Sequence, residues 1–162
     1  MKMCLLTTVL FLFCALFAAA QQSTAPQSSA PQPSGDSDRK HIVAPERKGR
    51  PFSDAVLVGN TLYIAGHIGM DPKTGKPGAN AEDEARLVMD AVKHTVESAG
   101  MTMDDLVSVQ VFCSDVSLYE TFNKVYRGYF HDEFPARAFL GSGKLLFDAR
   151  FEVNGIAVKK SK

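Results

Sequence analysis

Cysteine is scarce in this chain of 162 residues: there are three, and two of them, Cys4 and Cys14, stand within the first twenty positions. Loss of that segment on export would leave Cys113 alone and exclude an internal disulfide framework. An excess of either charge is also missing, because 18 Lys and Arg balance 18 Asp and Glu. Nucleic-acid binding leaves a strongly basic face, so no nucleic-acid partner is expected. Arg39, Lys40, Arg47, Lys48 and Arg50 do cluster, but at the boundary of the folded region they read as solvated residues. None of His41, His67, His94 and His131 has a His, Cys, Asp or Glu companion at ligand spacing, so neither a metal nor another cofactor is expected. No spacing supports a Ser-His-Asp arrangement, and Gly141-Ser142-Gly143 lacks the context of a phosphate loop and reads as a bend.

What is present divides the chain into three parts. Residues 1–20 carry one early cation, Lys2, then an apolar run over positions 4–17 and the small-residue exit Ala18-Ala19-Ala20, the pattern of a secretory signal peptide. The run falls short of the ~20 apolar residues a bilayer span needs, so no stable membrane insertion is expected after cleavage and the product is secreted or periplasmic. Residues 21–38 are a Ser/Pro/Gln-rich stretch with almost no large apolar side chain, a disordered linker. Residues 39–162 remain as a single domain of ordinary size.

Within that domain, apolar runs over 52–58 and 61–65 flank Gly59-Asn60, a hairpin signal. Residues 71–78 are turn chemistry throughout and read as an exposed loop. Asn80 can cap a helix in which Ala81, Ala85, Val88, Met89, Val92, Val96 and Ala99 recur at helical spacing, with Gly100 as its stop. Residues 106–113 alternate, which puts Val107, Val109, Val111 and Cys113 on one side of a strand. A second helix over 117–132 carries Tyr119, Phe122, Tyr126, Tyr129 and Phe130. Residues 136–140 and 146–159 supply the last strands, with Phe151, Val153 and Ala157 opposed to Glu152, Asn154, Ile156 and Val158. The order ββαβαββ predicts an α+β domain, one mixed sheet with two helices on one face. The bare face is too apolar for solvent and predicts association of copies.

The residues most able to carry chemistry are Arg137, at the end of Phe134-Pro135-Ala136-Arg137, and Glu152, fifteen positions later. Phe134, Phe139 and Leu140 imply that Arg137 is partly buried, and a partly buried guanidinium needs an anion, which its fork matches best as a carboxylate. The residues alone leave two readings open. Arg137 is the receptor for a small carboxylated molecule, or it forms a salt bridge with Glu152 or with a neighbouring subunit. A carboxylate beside a guanidinium is a weak proton acceptor but a good anchor for water. His67 follows Ala65-Gly66 at a strand end, where binding groups are often placed, whereas the other histidines read as surface groups. Cys113 alternates with Val109 and Val111 and reads as a buried structural thiol.

Residues 42–159 resemble the Rid/YjgF family of reactive-intermediate enamine/imine deaminases, also called the endoribonuclease L-PSP family. The resemblance is carried by Ile42 and Pro45, by GNTLYIAG at 59–66, DPKTG at 71–75, ESAG at 97–100 and VQVF at 109–112. It continues through Asp115, Asn123 with Tyr126, and Pro135-Ala136-Arg137 to Glu152. It implies a chorismate-mutase-like fold and a homotrimer that closes a central barrel, with clefts between subunits. In such a cleft Arg137 would grip the carboxylate of a 2-imino acid and Glu152 would hold the attacking water. Asn123 and backbone groups near Ala138 and Phe139 would complete the pocket, and hydrolysis of the C–N bond would release a 2-keto acid and ammonia. Phe52 stands where these deaminases carry tyrosine, Ala65 where a small hydroxyl residue is common, His67 where glutamine is usual and Phe139 where cysteine is frequent, so the pocket is more apolar and suits a bulkier or different acid. Two other functions fit the same resemblance: a non-catalytic small-carboxylate binding module acting as a sensor or scaffold, and a ribonuclease, which the charge balance disfavours.

Overall fold

The computed structural model describes residues 38–131 and 133–160, so the signal peptide expected at 1–20 and all but the last residue of the linker expected at 21–38 lie outside the described residues. Ten elements follow along the chain: β1 Arg39–Ile42, β2 Ala55–Val58, β3 Thr61–Ile68, β4 Met70–Asp71, β5 Lys76–Pro77, α1 Ala81–Ser98, β6 Leu106–Cys113, α2 Tyr119–Tyr126, β7 Ala136–Gly141 and β8 Phe151–Val158. Six strands form one sheet in the order β1-β2-β3-β8-β6-β7. Only β6 and β7 run parallel, so the sheet is mixed, as the element order predicts. A single domain of α+β class with two helices results.

The core lies between the sheet and the helices. Leu62, Ile64, Val109, Val111, Cys113, Phe151, Val153 and Ala157 meet Ala85, Val88, Met89, Val92, Val96, Phe122 and Val125, all buried. Helix α1 begins where Asn80 accepts a hydrogen bond from the Asp83 amide, and Glu82, Asp83 and Glu84 complement the positive end of its dipole. Its first turn lies so close to the sheet that a Cβ at Gly69 would overlap the Glu84 carbonyl. Glu84 itself is fully buried: its carboxylate pairs with Arg150 at 2.6 Å and accepts from the amides of Arg150 and Phe151 at 2.5 and 3.0 Å. That bond set pins the entry of β8 to α1.

Several boundaries differ from the sequence reading, each for an identifiable reason. Arg39 and Lys40 are more than solvated boundary residues, because they pair with Val58 and Leu57 in an edge strand. Residues 52–54 are not strand: the Asp54 carboxylate turns inward to accept from the Ala44 amide at 2.7 Å, and β2 starts one residue later. The expected loop at 71–78 includes most of a small hairpin in which Met70 and Asp71 pair with Pro77 and Lys76. The second helix is shorter than 117–132, being flanked by 3-10 turns at Val116–Leu118 and Arg127–Tyr129. Residues 146–150 are not strand either, since Leu146–Asp148 is a 3-10 turn with Phe147 and Asp148 both at φ 58. Val107 does not share the core face with Val109. One extra residue sits between the pairs Leu106↔Ala157 and Ser108↔Ile156, a bulge that turns Val107 outward to 47% exposure and puts Leu106 inside.

Candidate active site

Strand β7 places Arg137 opposite Val109 and Phe139 opposite Val111, so both point toward the helices. Tyr119, Asn123 and Tyr126 stand on one side of α2 by their i, i+4, i+7 spacing. The Arg137 guanidinium lies 4.6 Å from the centroid of the Tyr126 ring, 5.7 Å from that of Tyr119 and 5.9 Å from that of Phe139. Phe139 in turn meets Tyr119 edge-on at 5.0 Å and Phe122 at 5.7 Å. Arg137, Tyr119, Asn123 and Tyr126, with Arg127, Phe134 and Pro135, bound a cleft of about 300 Å³. Among the described residues Arg137 has π faces but no carboxylate within ion-pair distance. A half-buried guanidinium held by rings and left without a counter-anion is arranged to receive one. Of the expected pocket residues, Asn123 and Phe139 are therefore brought to Arg137.

Glu152 is not. It pairs with Phe112, three residues from the Val109 that faces Arg137, and alternation along β6 puts the two side chains on opposite faces of the sheet. The intrachain salt bridge between Arg137 and Glu152 is not formed. Glu152 lies instead on the outer face, where a Cβ at Gly66 would overlap its carboxylate, and it shares a shallow cavity with Lys144, Leu146, Phe147 and Asp148. The Ala138 methyl also faces outward, by alternation with Arg137. Phe52 lines a separate cavity with His41, Arg50 and Tyr63 near the other edge of the sheet. Within a single chain Arg137 and Glu152 thus lie apart, on opposite faces of the sheet.

His67 is buried away from Arg137, on a different cavity that Arg47, Asp54 and Thr95 also line. Between the pairs Ile64↔Gly155 and His67↔Val153 strand β3 carries one residue more than β8, and this bulge at Ala65-Gly66 turns the imidazole inward to 2% exposure. Thr95 donates its hydroxyl to the Ala91 carbonyl at 3.0 Å, so at 3.3 Å it accepts from His67 Nε2–H, and Nδ1 is left to face Arg47 Nη1 at 3.4 Å. Arg47 also pairs with the buried Asp54 at 2.6 Å. Burial first and the Arg47 guanidinium second drive the His67 pKa down to about 4, against the opposing pull of Asp54. The folded state therefore refuses a proton that the unfolded chain accepts, so stability is complete above the ordinary histidine pKa of 6.5 and falls as the pH drops toward 4. The loss should reach about 3 kcal/mol, and His67→Gln, which keeps one acceptor and one donor, should flatten that part of the curve in urea unfolding followed against pH.

The remaining candidates are quiet. Cys113 is fully buried, donates to the Asp115 carbonyl at 3.0 Å, and has its pKa raised by burial, which fits a structural thiol. His41 bonds Ser53 at 2.9 Å, His131 approaches Asp104 at 3.5 Å, and His94 is exposed. Among the described residues no three His, Cys, Asp or Glu side chains gather as a metal cage. No described helix is long and apolar enough to cross a membrane. Sequence reasoning missed Gly66, which makes room for Glu152, and Glu84, which fixes the strand on which Glu152 sits. Glu84 had a signal: it is a charge on the apolar stripe between Ala81 and Val88.

This geometry has relatives. Residues 42–159 match the family described as Endoribonuclease L-PSP. The chain is 39% identical over 111 residues to the 2-iminobutanoate/2-iminopropanoate deaminase of Bos taurus, an overlap of 67% of this chain and 80% of that protein. It is 38% identical to a RutC family protein of Sulfurisphaera tokodaii over 117 residues, 72% of this chain and 93% of the relative. Among solved structures, the YjgF gene product of E. coli superposes with a TM-score of 0.69 at 35% identity, covering 75% of this chain and 99% of that one. E. coli TdcF with bound serine gives the same TM-score at 30% identity, with 75% and 100% covered. With the family match spanning nearly all of the described fold and relatives above 30% identity, the chain belongs to the endoribonuclease L-PSP family, the Rid/YjgF proteins.

Proposed function

We propose that this protein hydrolyses reactive 2-enamino and 2-imino acids to 2-keto acids and ammonia. The observation that carries the reading is the aromatic-walled cleft in which Arg137 stands beside Asn123 with no anion of its own. The names of the mammalian relatives support the reaction, and the serine bound to TdcF supports a small carboxylated ligand. Arg137 binds the carboxylate of the protonated imine. Water held by Glu152 adds to the imine carbon, the C–N bond of the resulting tetrahedral adduct breaks, and ammonia leaves with the keto group formed from the water oxygen. The protonated imine is already electrophilic, so positioning matters more than a strong base.

Because Arg137 and Glu152 occupy opposite faces of one sheet, the Glu152 that serves a given Arg137 comes from another copy. The outer face supports such assembly: Tyr63, Val107 and Leu140 are exposed on it, beside the half-buried Phe112, Ile156 and Val158. Three copies joined through this face would close a central barrel and complete three clefts. The leader at 1–20 directs the product to a secreted or periplasmic location, where its imines would come from oxidation of amino acids.

A non-catalytic carboxylate receptor is the second reading, favoured by one fact: the Arg137 half-site is complete in one chain and Glu152 is not part of it. A ribonuclease has less support, since the balanced charge offers a polyanion no net attraction. An amino-acid oxidase that releases imines in the presence of semicarbazide separates them. The purified chain should lower semicarbazone formation and raise keto acid; undiminished trapping together with binding of 2-oxobutanoate would establish the receptor instead.

A further inference from the structure

Tyr126 combines two properties that its ring packing does not account for. The side chain is 4% exposed, with its ring between the Arg137 guanidinium at 4.6 Å and the Phe130 ring at 4.8 Å. Its hydroxyl oxygen, however, is buried and has no hydrogen-bond partner among the described residues. Buried polar groups are almost always satisfied in native proteins, and those that are not point to a missing ligand or water. Tyr126 and Arg137 both line the one cleft. Burial pushes the Tyr126 pKa up to about 12, with Arg137 opposing it, so the hydroxyl keeps its proton and can donate.

We infer that Tyr126 is a substrate-binding residue whose hydroxyl donates a hydrogen bond to the substrate carboxylate held by Arg137, an assignment that rests on the deaminase reading. A carboxylate offers about four lone-pair directions and a guanidinium fork uses two, which leaves room for a third donor. A hydroxyl packed beside a permanent cation gains most by donating to the anion that the cation attracts.

Tyr126→Phe in the full chain is the test, because it keeps the ring and removes only the oxygen. Binding of 2-oxobutanoate followed by calorimetry should weaken about tenfold, with kcat/KM falling in parallel, while the urea midpoint stays level or rises because a buried unsatisfied group has gone. The variant should also lose part of the preference of the wild type for 2-oxobutanoate over its amide, a readout that a packing role would not move. Unchanged affinity would overturn the assignment and leave the hydroxyl facing a buried water. A lowered urea midpoint would overturn it too, by revealing a structural partner. If the wild type binds 2-oxobutanoate but turns over no imine, the deaminase reading falls and calorimetry alone decides Tyr126; if it binds no 2-oxo acid, both fall.

Discussion

Replacing Arg137 by alanine should lower kcat/KM for 2-imino acids by roughly 30- to 150-fold, the equivalent of losing about 2 to 3 kcal/mol of charge-assisted hydrogen bonding in a sheltered cleft. The substrate keeps its carboxylate from ground state to transition state, so most of the loss should appear in KM and in the affinity for 2-oxo acids. The fold should tolerate the change. Among the described residues Arg137 makes ring contacts and no ion pair, so the unfolding free energy in urea should change by less than about 1 kcal/mol. Arg137→Lys restores the charge without the fork and should recover only a small part of the affinity. Steady-state rates and calorimetry on the same preparations check both halves of this expectation.

The largest effect on stability is expected at Glu84. Its buried carboxylate serves Arg150 Nη1 and the amides of Arg150 and Phe151, so Glu84→Ala strands three donors at once. The Arg150 side chain is 35% exposed, so water recovers part of its loss, whereas the Phe151 amide is buried and recovers none. A cost of about 3 to 5 kcal/mol follows, a large share of what holds a domain of this size together. Glu84→Gln keeps an acceptor for one amide and should cost less. Urea unfolding compares the two variants. A loss below 1 kcal/mol for the alanine variant would contradict the assigned role. Because these bonds set the start of β8, partial unfolding there should also displace Glu152 and reduce activity before the rest of the chain is lost.

Much of this architecture was legible in the sequence because it follows from local periodicity. Gly59-Asn60 between apolar runs marks the β2–β3 hairpin, Asn80 and the stripe from Ala85 to Val96 mark α1, and the alternation of β8 holds residue by residue. The failures share a cause. Alternation presumes an unbroken register, and the bulges at Ala65-Gly66 and at Val107 each insert a residue, sending His67 inward and Val107 outward. The edge strand β1 is exposed at Arg39, Lys40 and His41, so it has no apolar signature and exists through pairing with β2. The relation of Arg137 to Glu152 could not be read from their spacing along the chain, because β6 stands between β7 and β8 and the register on each side of it decides which face each residue takes. What remained readable was the chemistry of each residue: Arg137 as a partly buried guanidinium, and Cys113 as a buried thiol.

The claim that rests most directly on this geometry is that each active site takes Arg137 from one chain and Glu152 from another. Arg137→Ala and Glu152→Ala chains, each expected to be nearly inactive at substrate concentrations below the wild-type KM, can be unfolded, mixed in equal amounts, refolded together and assayed there. If sites form between copies, random assembly pairs an intact Arg137 with the intact Glu152 of the partner subunit at about one cleft in four, and the mixture should recover about a quarter of the wild-type rate. A mixture that stays as inactive as its parents, although it assembles as the wild type does, would contradict the account.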